Sequence, residues 1–280
     1  MRHSLVEEGA RGTDHRPVTR EETPRLHGVA PRVRPWRISI IVPALNEEKL
    51  IEKTLCCFPA DLRRRLDFEL IVSDGGSRDR TVGISRELAD VVTEHKESRR
   101  QTIAEGRNCG AAAASGQLLV FINADTVPRD PERFIVGLRD VAAMMAAGDR
   151  AVAVACPVQV APEERGPSDR LFHAFFNRYV RLLNALGVGM GRGECQIVRR
   201  DVFQKVGGYA GTMAAGEDFD LYKRLARHGR IGHRDDLYVY ESPRRFRRYG
   251  YLRVLFQWTL NGLAVALFRR SLSKEWEEVR

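Results

Sequence analysis

An α/β protein on a mostly parallel sheet is what this chain predicts, and three features carry that expectation. Short, unbroken runs of β-branched and aliphatic residues recur along it, as buried parallel strands require. Segments of helical character separate those runs. Polar, glycine-marked stretches stand directly after the runs, where the ligands of open parallel sheets collect. With 280 residues and 43% hydrophobic content, the chain can bury one substantial core.

Residues 1–36 are rich in Arg, Glu, Pro and Gly without a hydrophobic period, and predict a disordered arm. Ile38-Ser39-Ile40-Ile41-Val42, stopped by Pro43, is the first strand. A helix over about Glu47–Phe58 follows, with adjacent Cys56 and Cys57 read as core filling. Phe68–Ser73 is the second strand, running into Asp74-Gly75-Gly76-Ser77. Asp79 is placed to cap a helix that begins at Arg80. Asp90–Thr93 is a short third strand, Thr102–Ser115 an Ala-rich helix, and Leu118–Ile122 a strong strand. Pro131–Met145 and Ala151–Cys156 continue the alternation.

The second half is less regular. Arg170–Leu186 is predicted helical, and the Gly-rich loop Gly187–Gly193 reads either as a lid or as a plain connection. Glu194–Val198 reads as a strand, Phe219–His228 as a helix and Leu237–Tyr240 as a strand. Tyr249–Arg270 is the last helix, with Leu252, Leu255, Phe256, Leu260, Leu263 and Leu267 on one side. Its uninterrupted stretch Val254–Phe268 is 15 residues and contains Gln257, Thr259 and Asn261. A spanning helix needs about 20 mostly apolar residues, so a transmembrane segment is not expected.

The net charge is +9, and residues 242–280 carry much of it, with nine Arg/Lys against three Glu. Such a patch suits phosphates, anionic headgroups or nucleic acid. No recognised nucleic-acid module accompanies it, and a nucleic-acid partner is not expected. The five cysteines form no CxxC pair, which fits a reducing compartment. The start has no apolar signal-peptide core, so cytoplasmic residence is the expectation.

The chemistry-bearing residues form an ordered set. Pro43-Ala44-Leu45-Asn46-Glu47-Glu48 follows the first strand, and Asp74-Gly75-Gly76-Ser77-Arg78-Asp79-Arg80-Thr81 the second. Gly106-Arg107-Asn108-Cys109-Gly110 lies in a helix, and Asn123-Ala124-Asp125-Thr126 ends the fourth strand. Gly207-Gly208-Tyr209 precedes Gly216-Glu217-Asp218-Phe219-Asp220-Leu221. In this order and at these separations, residues 38–232 resemble the family 2 glycosyltransferases of the GT-A fold.

That resemblance implies a Rossmann-like, mostly parallel sheet flanked by helices over 37–241; residues 242–280 read, from their own charge and spacing, as a basic amphipathic helical extension. It implies an inverting transferase that takes a sugar from a nucleotide-diphosphate donor. The donor contacts would come from Pro43, Ala44, Asn46, Glu47, Asp74, Gly76, Ser77, Arg107, Asn123 and Ala124. Asp74 can accept from a base N–H, and Glu47 can hold ribose hydroxyls; an Asp-Gly pair also serves as an ordinary turn. Asn123-Ala124-Asp125 stands in the place of the family's DxD motif. Asp125 would hold Mg²⁺ or Mn²⁺ against the diphosphate, and Asn123 departs from the usual Asp by one charge.

Glu217-Asp218 matches the family's acidic pair near the acceptor. Asp218 would be the base that takes the acceptor hydroxyl's proton, with Glu217 beside it; two acids there also suit a helix N-terminus. Arg107 reads equally as a diphosphate contact and as an exposed helix residue. In the tail, Arg244 or Arg245 would close on the diphosphate, or the region 244–270 would lie on anionic headgroups at the inner face of a membrane. Packing on the protein itself or in a homodimer is the other reading. A basic, amphipathic tail favours a lipid-linked acceptor.

Two further functions compete. A nucleotidyltransferase making sugar nucleotides needs a Gly-rich, basic phosphate loop after the first strand, where this chain has Pro43-Ala44-Leu45-Asn46-Glu47. A catalytically lapsed sugar-nucleotide-binding module is suggested by Asn123.

Overall fold

The computed structural model describes residues 36–213 and 215–268. The arm predicted over 1–36 lies outside them save for Trp36, as does the end of the last predicted helix beyond Phe268.

The first half follows the alternation of the sequence. Strand β1 (Ile38–Ala44) is buried at every position, as is β2 (Phe68–Asp74). Between them the single helix expected over 47–58 is replaced by two short ones, α1 (Ile51–Leu55) and α2 (Ala60–Leu66). Asn46, with φ of 53°, turns the chain first, and Pro59 then forces a fresh start. Cys56 is exposed and Cys57 only half-buried, so this pair does not fill the core as expected.

Helix α3 (Thr81–Leu88) leads to β3 (Val91–Glu94), and α4 (Ile103–Ala113) to β4 (Leu118–Ile122). Thr102 starts α4 with a reciprocal cap. Its Oγ1 accepts from the Glu105 N–H at 3.1 Å, and its own N–H donates to Glu105 Oε2 at 2.9 Å. The chain continues through β5 (Thr126–Pro128), α5 (Pro131–Ala146), β6 (Ala151–Ala155), β7 (Val158–Val160) and α6 (Pro167–Ala185). Then come β8 (Cys195–Arg199), α7 (Arg200–Lys205), α8 (Glu217–Leu225), β9 (Arg230–His233) and β10 (Val239–Glu241). Helices α9 (Arg244–Tyr249) and α10 (Tyr251–Phe268) finish the described chain, Gly250 dividing the helix predicted from Tyr249.

Seven strands form the main sheet in the order β3-β2-β1-β4-β8-β6-β9. All neighbours run parallel except at β8, which is antiparallel to both β4 and β6. This reversal matters for function. It sets the start of β8 beside the end of β4, with Ile122 opposite Cys195 and the Asn123 N–H donating to Glu194 O at 3.2 Å. Two apolar layers cover the faces, one around Ile40, Leu70, Val120 and Phe134, the other around Ile41, Phe121, Val198 and Tyr222.

A second, three-stranded sheet of order β5-β10-β7 went unforeseen as a sheet. Glu241 of β10 lies opposite Thr126 of β5, so the small sheet carries the tail back to the end of β4.

Candidate functional site at the carboxyl ends of the strands

The loops after β1 and β2 are stitched together. The Gly75 N–H donates to Ala44 O at 2.8 Å. The Asn46 N–H donates to Ser77 Oγ at 2.8 Å, and Asn46 Oδ1 accepts from the Arg78 N–H at 2.9 Å. Asp79 accepts from both the N–H and the hydroxyl of Thr81, and from the Glu48 N–H at 3.2 Å. It therefore ties the two loops together, while α3 starts a residue later than expected, at Thr81, with Arg80 in the cap position and no side-chain cap.

Asp74 is buried to 2% exposure and uses one oxygen for its own turn, Oδ2 accepting from Gly76 and Ser77 N–H at 2.9 Å each. Its Oδ1 is buried with no hydrogen-bond partner. A buried carboxylate oxygen left unpaired is costly, and a ligand N–H would satisfy it. The turn reading and the ligand reading thus fall on different oxygens of one side chain. Gly76, at φ +95°, supplies the left-handed turn beneath it. Pro43 and Ala44 are buried within β1 and form the floor here.

Asp125 stands just past the end of β4, and Ala124 is pinned there by its carbonyl, which accepts from Thr54 Oγ1 at 2.8 Å. Arg244, at the start of α9, joins the two sides. Its guanidinium grips Glu47 at 2.6 and 2.9 Å and reaches Asp125 Oδ2 at 3.1 Å. Burial pushes the Asp125 carboxyl above its ordinary range, with Arg244 opposing the rise.

Arg107 is 1% exposed, so the exposed-helix reading does not describe it. Its Nη1 donates to Glu217 Oε1 at 2.6 Å, and its Nη2 to Asn123 Oδ1 at 3.0 Å and Gly193 O at 2.8 Å. The Tyr209 ring lies 5.3 Å from the guanidinium carbon. One arginine thereby fixes the end of β4, the approach to β8 and the start of α8 together.

Glu217 is consumed by this ion pair, whereas the neighbouring Asp218 is not. Its Oδ1 accepts from the Phe219 N–H at 2.8 Å. Its Oδ2 faces Gly193, 3.4 Å from where a Cβ would stand. Burial, reinforced by the charge of Glu217 and opposed by Arg107, lifts the Asp218 carboxyl to about 7. That value suits a group that must accept a proton near neutrality.

Sequence reasoning missed a second buried arginine. Arg192 pairs with Glu194 at 3.1 and 3.2 Å and with Glu241 at 3.0 Å, its guanidinium 4.9 Å from the Phe176 ring centre. Burial would raise the Glu194 carboxyl, but Arg192 overrides it and holds the group at about 2. Glu241, sharing the same arginine, is pushed well up by burial and by Glu194. A buried arginine between two carboxylates is a tertiary fact; its only local trace was a charged RGE inside a glycine loop.

From Gly189 onward that loop is packed among these residues. Asn184 brackets it through Met190, at 2.7 and 2.9 Å. A Cβ on Gly191 would stand 2.5 Å from the Tyr222 ring, and Gly189 sits at φ +81°. His233, the last residue of the sheet's edge strand β9, meets Asp235 at 2.9 Å.

A mostly parallel sheet with one reversed strand, and with acids gathered at its carboxyl edge, defines the glycosyltransferases of the GT-A fold. The profile described as "Glycosyl transferase family 2" matches residues 39–207, more than half of the sequence, and the chain belongs to that family.

Curated relatives include validoxylamine A glucosyltransferase of Streptomyces hygroscopicus subsp. limoneus, 30% identical over 111 residues, 36% of this chain and 24% of that one. Glycosyltransferase AglE of Haloferax volcanii is 23% identical over 197 residues, 69% of this chain and 62% of that protein. The chain thus spans less than two thirds of either relative. Among solved structures, the mannosyltransferase PcManGT of Pyrobaculum calidifontis, in complex with GDP-Man and Mn²⁺, superposes with a TM-score of 0.56 at 22% identity, covering 74% of this chain and 56% of that one. Glucosyl-3-phosphoglycerate synthase of Mycobacterium tuberculosis, in complex with Mn²⁺, UDP and phosphoglyceric acid, gives 0.55 at 21% identity, covering 84% and 78%.

Proposed function

We propose that this chain transfers a sugar from a nucleoside-diphosphate donor to an acceptor hydroxyl, with inversion at the anomeric carbon. The observation that carries this reading is the division of labour between two adjacent carboxylates. Arg107 immobilises Glu217, and Asp218 is left facing Gly193 with a raised proton affinity. In the transfer, the acceptor oxygen attacks the anomeric carbon and its proton passes to Asp218. The bond to the diphosphate breaks as the new one forms, and the nucleoside diphosphate leaves.

On the donor side, Asp74 Oδ1 accepts from the base and Glu47 from the ribose, while Asn46, Gly76 and Ser77 shape the turn beneath them. A divalent cation, Mg²⁺ or Mn²⁺, fits at Asp125 as a site with one protein carboxylate. Among the described residues no group of three or more acid, His or Cys side chains surrounds one point, and Asn123 Oδ1 is already engaged by Arg107. The remaining ligands would be diphosphate and water oxygens, a usual arrangement for Mg²⁺. When bound, such an ion neutralises charge on the departing diphosphate. Arg244 now holds its positive charge against Asp125 and Glu47. From that position its guanidinium would also lie within reach of a diphosphate bound beside Asp125.

A thermal-shift screen of UDP-, GDP-, ADP- and TDP-sugars with and without Mn²⁺ tests the proposal. One donor should raise Tm by mass action, more with metal than without. Asp125→Ala should remove the metal-dependent part. A chain that no nucleotide sugar stabilises, at concentrations up to several millimolar, is not such a transferase.

A further inference from the structure

Helices α6 and α10 lie side by side over the second core layer, joined by aromatic contacts. The Trp258 ring centre is 6.1 Å from that of Phe172 and 5.6 Å from that of Phe176, and the Tyr251 ring is 4.7 Å from that of Phe172. Each helix buries one apolar face in this way, and each carries a second apolar face that is exposed. On α6 this is Leu171, Phe175, Tyr179 and Leu182, with Leu171 75% exposed. On α10 it is Leu252, Phe256, Leu260 and Leu263, with Leu252 85% and Phe256 63% exposed. Both sets repeat at three- and four-residue intervals, so each forms a continuous stripe. A helix apolar on opposite faces has a second apolar environment to meet.

The charges around the stripes identify that environment. Arg170 and Arg178 of α6 and Arg253 of α10 are exposed beside them. Across α6, α9 and the described length of α10, the one acidic residue is Asp169. It is fully buried and bonded to Arg247 and Tyr251. A second copy of this chain would bring arginine against arginine here, with no exposed carboxylate on these helices to answer it. An anionic lipid surface supplies both what the stripes lack and what the arginines lack: hydrocarbon depth and negative charge.

We infer that α6 and α10 together form a membrane-docking face, its apolar stripes entering the interface of an anionic bilayer while the flanking arginines bind headgroup phosphates. The placement has a catalytic consequence. Val265 of α10, 2% exposed, packs on Gly216, the residue before Glu217 and Asp218. The helix that touches lipid is therefore the one whose buried face lies against Gly216, directly before the proposed base. Docking itself rests on the exposed helices alone and does not depend on the transferase reading. No helix among the described residues is long and apolar enough to cross a membrane, so the contact is with the surface.

Flotation of the full chain with vesicles tests this. One set is phosphatidylcholine alone, the other phosphatidylcholine with 30% phosphatidylglycerol (about the anionic fraction that gives a clear surface potential). The protein should float with the anionic vesicles at least tenfold better than with the neutral ones, and less well as salt rises. Phe256→Ser with Leu260→Ser should abolish flotation while leaving Tm and any donor-induced shift unchanged. Arg170→Gln with Arg178→Gln, on the other helix, should cost selectivity for the anionic set. Failure to float, or flotation indifferent to both pairs of substitutions, overturns the inference. So does a stable dimer in light scattering that the Phe256/Leu260 pair dissociates, since the face would then belong to a second copy. A donor-binding chain that does not float would sink the docking face alone; a floating chain that binds no donor would sink the transferase alone.

Discussion

On the proposed donor side, Asp74, Asn46, Ser77 and Asp79 are held mostly by backbone N–H groups of two neighbouring loops. On the acceptor side, Glu217, Asn123, Glu194 and Glu241 are held by two buried arginines from distant parts of the chain. Short loops after parallel strands can pre-form a nucleotide cradle out of main chain. Positioning a base over a sugar needs elements far apart in sequence, and Arg107 and Arg192 serve as their common anchors. The first half should therefore tolerate loss of a side chain better than the second.

The strongest test of that contrast is Asp218→Asn. Loss of a positioned base should lower kcat by about 10²–10⁴-fold, while the donor-induced rise in Tm is retained. In the unmodified enzyme, kcat/KM should climb as pH passes through about 7, the value to which the carboxyl is lifted. Folding raises this carboxyl, so its stabilising contribution is present at low pH and is lost as pH rises from about 4 to 7. Asn never ionises, and the variant should accordingly melt higher than the parent at pH 8. A lower Tm there would mean that ionised Asp218 is itself a structural partner.

Next comes Arg107→Met, which leaves Glu217 buried without its cation. Breaking a buried pair from one side costs about 3–5 kcal/mol, to be read in urea denaturation. A loss under about 1 kcal/mol would show that the two halves of the cleft are not so differently built.

Asp169→Asn is smaller in effect. Hydrogen bonds from Arg247, Tyr251 and the Gly166 N–H outweigh burial and hold this carboxyl at about 2, below its ordinary 3.8. Its contribution is complete above about pH 4 and disappears as pH falls toward 2. Removing the charge should cost about 2 kcal/mol at pH 7, with the difference from the parent shrinking at pH 3.

The smallest expected effect is on the donor side. Asp74→Asn keeps an oxygen for the Gly76 turn but presents an amide where Oδ1 now stands. Donor affinity should weaken about tenfold, equal to about 1.4 kcal/mol, with kcat nearly unchanged. A thousandfold fall in kcat from this change would reverse the comparison.

The same contrast governs what could be read from sequence. Ile38–Val42, Phe68–Ser73 and Leu118–Ile122 stand within two residues of their observed strands, because such apolar runs leave little choice, although β1 continues through Pro43, which was expected to stop it, to Ala44. The helix expected over 47–58 failed because residues before Ile51 are spent on the turn at Asn46, which hydrophobic spacing does not register. Strands β5, β7 and β9 are three or four residues long, too short for any period. In the site, the acids and the order of their motifs were legible because they recur locally. Which acid is paired and which is left beside Gly193 was not, since that depends on Arg107 reaching 110 positions along the chain to Glu217.

The account comes down to a single cleft around a sugar nucleotide, and a crystal structure with a nucleoside diphosphate and Mn²⁺ tests it most directly. The account predicts the base against Asp74 Oδ1, the metal at Asp125 with Arg244 released from it, and the terminal phosphate on the side of Asp218. A nucleotide bound elsewhere on the sheet, or bound there with Asp218 turned away from its diphosphate, would contradict it.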